Sequence, residues 1–258
     1  MTTPMIDMHS HVLPGIDDGP STPEGSLEML RAAEAAGIAT MTATPHVSGR
    51  YRNDPGTIAA ALEQLRDALG ADAPAVEIVL GAEVAVTRIA ELDPETLAGL
   101  RLGDGPWLLV EPPFSDRVGG IDAAIAEVHR LGHRVLLAHP ERCPAFHRDP
   151  RLLESLIDGG VLTSLTSGSL VGRFGSPAKK LGLALLDAGL AHNVASDAHD
   201  AVNRPPSISA ELAAAGRSDL EDWLTREVPA AILAGAEIPR RPATPAARRS
   251  KRRWLRRG

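Results

Sequence analysis

Short apolar runs alternate with stretches of helical periodicity along almost the whole chain, and nearly every run ends on a residue able to do chemistry. The runs are Met5 to His9, Thr40 to Thr44, Glu77 to Leu80, Trp107 to Val110, Arg134 to Ala138, Val161 to Leu165 and Ala191 to Ala195. Helical stripes fall between them: Leu27, Leu30 and Ala33; Thr57 to Leu69; Pro94 to Leu100; Ile121, Ile125, Val128 and Leu131; Leu152, Leu153, Leu156 and Ile157; Leu181, Ala184, Leu185 and Ala188. Three further helices are expected after Pro206, near Ser207 to Ala215, Ser218 to Arg226 and just before Ala236. Thr22 before Pro23 reads as an N-cap with proline at the first helical position, and Gly37 ends that helix. Regular strand and helix alternation predicts a parallel sheet, and about seven such units favour a closed or nearly closed barrel over an open doubly wound sheet. The difference matters for function. A barrel gathers the C-terminal ends of its strands around one mouth, whereas an open sheet spreads them out.

The residues at those ends are His9 and His11, His46, Glu83, Glu111, His139, and finally Asp197 with His199. A His-x-His pair alone is as readily a surface or core pair as a ligand pair. Five imidazoles and three carboxylates converging on one mouth are different, because that much titratable chemistry in one pocket is costly without cations. Eight ligands exceed the three protein ligands of a typical catalytic zinc, so two or three ions are expected. Imidazole and carboxylate without thiolate suits manganese, iron or zinc. His129, His133, His147 and His192 fall in helices, loops or a strand start and are read as ordinary surface or core residues.

Arg142 and Arg204 follow the fifth and seventh strands, beside the cluster. Guanidinium forks match phosphate oxygens in pairs, so two of them next to a multi-metal centre point to a phosphorylated substrate. Ser167, Gly168 and Ser169 either add donors to the same pocket or make an ordinary strand-to-helix turn.

Charge and cysteine content exclude several alternatives. The whole chain carries −6, yet the nine cations from Arg240 to Gly258, with no acid among them, leave the preceding 239 residues at −15. So acidic a body argues against a nucleic-acid surface. The basic tail, residues 240–258, is expected to be a solvated terminus outside the folded unit of residues 1–239, with weak contact to an anionic membrane surface as its alternative role. One cysteine, Cys143, permits neither an internal disulfide nor a cysteine-rich zinc site. Cysteine-based phosphatases need five residues between Cys and Arg, and here Arg148 follows after four, with Pro144 in the loop. No apolar window reaches ~18 residues and no secretory leader is visible, so a cytoplasmic location is expected.

The motifs H-S-H-V-L-P-G-I-D-D-G, A-T-P-H, G-A-E, V-E-P-P, A-H-P-E-R, T-S-G-S-L-V-G-R-F-G and A-S-D-A-H-D with N-R-P-P, in this order, resemble the bacterial tyrosine phosphatases of the polymerase and histidinol phosphatase (PHP) superfamily. These are manganese-dependent enzymes associated with capsular and exopolysaccharide synthesis, and the likeness runs from about Met5 to Ile238. The resemblance implies a distorted (β/α)7 TIM-like barrel with a three-metal cluster held by His9, His11, His46, Glu83, Glu111, His139, Asp197 and His199. It implies phosphate binding by Arg142 and Arg204, and support near the metals from Asp18. It further implies hydrolysis of phosphotyrosine by metal-activated water, on a partner such as a bacterial tyrosine kinase. Histidinol-phosphate hydrolysis and a non-catalytic phosphoprotein-binding barrel are the competing readings. Amidohydrolases also open with His-x-His, but the carbamylated lysine that many of them use has no counterpart at a strand end here.

Overall fold

The computed structural model describes residues 4–116 and 119–243. Its strands are β1 (Met5–Ser10), β2 (Ile38–Ala43), β3 (His46–Val47), β4 (Glu77–Leu80), β5 (Glu83–Ala85), β6 (Trp107–Glu111), β7 (Arg134–Ala138), β8 (Leu162–Thr166) and β9 (Asn193–Ala195). The helices are α1 (Pro23–Ala35), α2 (Pro55–Leu69), α3 (Pro94–Gly99), α4 (Ile121–Arg130), α5 (Pro144–Arg148), α6 (Pro150–Asp158), α7 (Ser167–Val171), α8 (Gly175–Ala188), α9 (Ser209–Ala214) and α10 (Val228–Leu233).

All strand pairs are parallel, in two ladders: β1-β2-β4 and β3-β5-β6-β7-β8-β9. The ladders are one sheet broken at a defined place. Thr44 and Pro45 separate β2 from β3, and Gly81 and Ala82 separate β4 from β5; proline has no N–H for the ladder. Across the break, Gly81 N–H donates to Ala43 O at 3.0 Å and Glu83 N–H to Pro45 O at 3.1 Å. At the other edge the chain after β9 returns to β1. Asp197 N–H donates to His9 O and His11 N–H to Ala198 O, both at 2.9 Å, with a parallel bridge between Ser10 and Ala198. Seven staves thus follow one another around a ring, as the alternation predicts. β1 is buried along its whole length, as a strand covered on both faces must be.

Four helices open on a Thr-Pro or Asp-Pro step. Thr22 and Asp93 cap α1 and α3, and Asp54 and Asp149 do the same for α2 and α6. Each side chain accepts from an orphan backbone N–H, and each proline occupies a position whose own N–H would be unused. Asp54-Pro55 starts α2 two residues before Thr57, the expected start. The segment expected to be helical from Ser218 to Arg226 is helical but irregular, with a 3-10 turn at Ser218–Leu220 and a π turn at Trp223–Glu227 that runs into α10. There Trp223 Nε1–H reaches Pro239 O at 3.0 Å, and Arg241 donates to Leu186 O at 2.8 Å. The first residues of the basic tail are therefore tied to the barrel at the end opposite the mouth, past the expected boundary at 239. The remainder of the tail lies outside the described residues. Among the described residues no helix is long and apolar enough to cross a membrane.

Candidate metal and phosphate site

Every strand-end residue singled out above lies at the same mouth. His9, His11, Glu83, His139, Asp197 and His199 form a buried floor, while His46, Glu111, Arg142 and Arg204 are partly exposed above it. Glu83 is the hub. Its Oε2 lies 3.0 Å from His46 Nδ1, 3.3 Å from His9 Nε2 and 3.5 Å from His11 Nε2, and its Oε1 lies 2.8 Å from His139 Nε2. Asp197 Oδ1 sits 3.5 Å from both His9 Nε2 and His11 Nε2.

These donors face inward with their lone pairs, and several have no hydrogen-bond partner. Glu83 Oε2, His46 Nδ1 and His139 Nδ1 are all buried and unsatisfied by hydrogen bonding. An unpaired buried carboxylate oxygen costs a large desolvation penalty, and a cation among three imidazoles would remove it. The donor set therefore fits divalent metal. Three sets of atoms could each hold an ion: His11, Asp18, His46 and His199; His9, His11 and Glu83; His46, Glu83 and Glu111. They overlap at His11, His46 and Glu83, so the candidate positions adjoin one another.

Titration behaviour points the same way. Burial, then the charge of Glu83, pushes the Glu111 carboxyl up to about 8. Burial and the charge of Arg142 push His139 down to about 4, which leaves a neutral imidazole with a lone pair to give. For Asp197, burial alone would raise the carboxyl, but the charge of His9, the bond to His11 and the charge of Arg204 hold it well below the usual range. Too many acids and imidazoles share this space to titrate normally without added positive charge.

The backbone marks the same residues. His139 and Asp197, with φ of 29° and 54°, are the two non-glycine described residues with positive φ. Such conformations cost energy and collect at functional sites, where surrounding structure enforces them. His139 directly follows β7 and Asp197 lies two residues past β9, so both sit where the chain leaves a strand at the mouth. Asp7 helps hold the second of these turns: its carboxylate accepts from Ser196 N–H at 3.0 Å and from the Ser196 hydroxyl, tying β1 to the Ser196-Asp197 segment.

Arg142 Nη1 and Arg204 Nη2 both donate to Asp197 Oδ2, at 2.5 and 2.6 Å. Phe174 underlies both guanidinium groups, 4.1 Å from that of Arg142 and 5.7 Å from that of Arg204. The two forks are thereby brought together beside the metal donors.

Three groups escaped sequence reasoning or take a role other than the expected one. Asp17 Oδ2 lies 2.7 Å from His11 Nδ1 and accepts from His46 N–H at 3.1 Å, so it orients two of the donors. Asp18, expected to be a supporting group, instead places Oδ1 3.4 Å from Nε2 of both His46 and His199, among the donor atoms themselves. Gly19 lets this loop pass: a Cβ there would lie 2.1 Å from His11 O. Glu141, fully buried beside Arg142, accepts from Thr166 N–H at 2.9 Å and from the Ser169 hydroxyl at 2.7 Å; burial pushes its carboxyl up to about 7. Ser169 therefore serves Glu141, and Ser167 donates to Ser207 O at 2.5 Å. The hydroxyls of Ser167 and Ser169 are engaged in the framework around α7 and do not act as pocket donors.

Cys143 is buried, with Sγ 3.4 Å from Pro113 O, and burial pushes its thiol up. It is a packing residue without thiolate character. His147 contacts Glu141 O at 2.6 Å and His192 accepts from Thr163 N–H at 3.2 Å, both in structural roles as expected.

Residues 5–227 match the family described as capsular polysaccharide synthesis, CpsB/CapC. The chain is 37% identical over 201 residues to tyrosine-protein phosphatase YwqE of Bacillus subtilis, covering 78% of this chain and 79% of that protein. It is similar, at 32% identity with a TM-score of 0.81, to a chain from the crystal structures of YwqE from Bacillus subtilis and CpsB from Streptococcus pneumoniae, described as metal-dependent tyrosine phosphatases; the match covers 93% of this chain and 99% of that one. A dihydropyrimidinase from Brevibacillus agri shares the fold alone, at 13% identity and a TM-score of 0.55, over 89% of this chain and 70% of the enzyme.

Proposed function

The chain belongs to the CpsB/CapC capsular polysaccharide synthesis family, and from that premise we propose that it is a metal-dependent tyrosine phosphatase acting on phosphoproteins. The observation that carries this reading is Glu83 Oε2, buried and unsatisfied among the ring nitrogens of His9, His11 and His46, two of which also face Asp197, the carboxylate on which two arginines converge.

In this reading His9, His11, His46, Glu83, Glu111, His139, Asp197 and His199, joined by Asp18, would hold a cluster of three divalent ions; the donors suit manganese, iron or zinc, and the family resemblance favours manganese. When bound, the ions supply a water nucleophile of lowered pKa and neutralise phosphate charge. The protein's own groups do the rest. Arg142 and Arg204 grip the non-bridging phosphate oxygens in pairs, pre-oriented by Asp197 and Phe174, and stabilise the charge that builds on them at the transition state. Asp17 holds His11 with its Nε2 toward the floor. The phenolate of tyrosine, whose conjugate acid has a pKa near ~10, is a competent leaving group at a partly open mouth. The buried Cys143 takes no part.

We assign the phosphoprotein partner to a tyrosine kinase of the capsule or exopolysaccharide machinery, which supplies the modification this site removes, and we place the reaction in the cytoplasm. The test is turnover by manganese-loaded protein of a phosphotyrosyl peptide, a phosphoseryl peptide and histidinol phosphate. The reading expects the phosphotyrosyl peptide to be hydrolysed fastest. Preference for histidinol phosphate would move the protein to small-molecule chemistry, and no turnover of any of the three would leave a phosphoprotein-binding barrel.

A further inference from the structure

The chain has only seven aromatic side chains, three Phe, three Trp and one Tyr. Three of them stand around the mouth. Tyr51 stacks on His46, with centroids 5.7 Å apart and planes at 9°; Phe174 lies under the two arginines; and Phe114 stacks on His139, with centroids 5.4 Å apart and planes at 20°. In a protein that packs its core with Leu, Val, Ile and Ala, this concentration is not explained by packing.

Phe114 differs from the other two. It is 53% exposed, and only one other large apolar side chain among the described residues is as open, Val202, in the loop that carries Arg204. Both belong to loops that bring site residues to the mouth, three residues after Glu111 and two before Arg204. The Arg142 guanidinium lies 5.0 Å from the Phe114 ring centre and 4.1 Å from that of Phe174. Phe174 is the more covered of the two and underlies both guanidinium groups. Phe114 keeps about half of its surface in water, beside Arg142 and His139 at the mouth.

We propose that Phe114, backed by His139 and Arg142, is a ring-stacking wall for the aryl group of the substrate and sets the preference for aryl over alkyl phosphate esters. The proposal rests on the phosphatase reading above and adds the residue that selects the leaving group. An offset or edge-on contact with a phenyl ring is favourable beyond the area it buries, and an alkyl ester such as phosphoserine has no ring to offer. The metal donors and both arginines contact only what all phosphomonoesters share. Selection by ester type therefore needs a group beyond them, and Phe114 is placed to supply it.

The test compares binding of phenylphosphonate and methylphosphonate, which cannot be hydrolysed, to the manganese-loaded full chain by calorimetry. It uses the wild type, Phe114→Ala and Phe114→Tyr, with metal content measured for each. The wild type is expected to favour phenylphosphonate. Phe114→Ala should lose about five- to tenfold in that preference, the worth of one aromatic contact, and Phe114→Tyr should keep it. The ratio of kcat/KM for phenyl phosphate to that for β-glycerophosphate should fall in step. Equal losses for both phosphonates would mean that Phe114 only steadies Arg142, and an unchanged preference would mean that it does neither; either result overturns the proposal. A wild type that hydrolyses no phosphomonoester and binds neither phosphonate would instead remove the phosphatase reading, and the wall with it.

Discussion

Asp17 and His11 are joined by a 2.7 Å contact from Oδ2 to Nδ1; against the effect of burial, Asp17, Asp197 and Glu83 push the metal-free ring up to about 10, and once Nε2 gives up its proton to ligate a metal the Asp17 bond keeps the remaining proton on Nδ1. Carboxylates in this outer position fix the tautomer and raise the basicity of the ligand they hold. Asp17→Asn is expected to weaken manganese binding by about 10- to 100-fold while the fold survives. Titration calorimetry with manganese, alongside circular dichroism, checks both halves of that expectation.

Arg142 and Arg204 share Asp197 Oδ2, and both are forks (Nη1 and Nη2 donors) that lysine cannot imitate. Arg142→Lys and Arg204→Lys should each lower kcat/KM on a phosphotyrosyl peptide by about 10²- to 10³-fold, as the loss of a transition-state donor typically does. Metal content should stay within error of the wild type. Steady-state kinetics with elemental analysis of the same samples measures this, and a parallel loss of metal would show that the arginines act through the cluster.

Glu141 supports the turn that carries Arg142, through its bonds to Thr166 N–H and Ser169. Glu141→Gln keeps an acceptor at Oε1 and should cost under ~1 kcal/mol. Glu141→Ala strands the buried Thr166 N–H and should cost about 2–3 kcal/mol in urea unfolding.

His192 accepts from Thr163 N–H in a site where burial, then the charge of Arg241, holds its pKa down at about 4. A folded value below the unfolded 6.5 means that the unfolded chain binds the proton more readily. The contribution is therefore complete above pH ~6.5 and is lost as pH falls toward ~4. Its size is on the order of 2 kcal/mol, discounted because the ring keeps some contact with solvent. Unfolding curves between pH 4 and 8 should show a steeper fall for the wild type than for His192→Asn.

Much of this architecture is legible in the residues themselves. Strand runs and helical stripes recover the seven staves, because strands buried on both faces are uniformly apolar and the helices between them keep one apolar face. The eight strand-end ligand candidates all reach one mouth for the same reason: parallel strands share a direction. What stayed hidden depends on tertiary pairing. His46 occupies a strand of its own because Pro45 breaks the ladder, and Glu111 belongs to β6, one residue past the expected end at Val110. Asp17 and Asp18 are adjacent acids with opposite tasks, and only the course of the loop past Gly19 assigns them. Glu141 follows a strand end in a charged stretch, and nothing in that stretch marks its complete burial. The positive φ of His139 and Asp197 has only a weak signature in residue type: Asp and His enter that region more readily than most non-glycine residues, yet few of them do so.

The central claim, that the buried donors around Glu83 hold the metal on which phosphotyrosine hydrolysis depends, is tested most directly by elemental analysis and phosphotyrosyl-peptide turnover on one preparation, before chelation, after chelation and after manganese is restored. The account predicts more than one divalent ion per chain, loss of turnover together with the ions, and recovery of both; His9→Ala with His11→Ala should stay folded yet neither bind the ions nor recover turnover. Full turnover by the metal-stripped protein would contradict it.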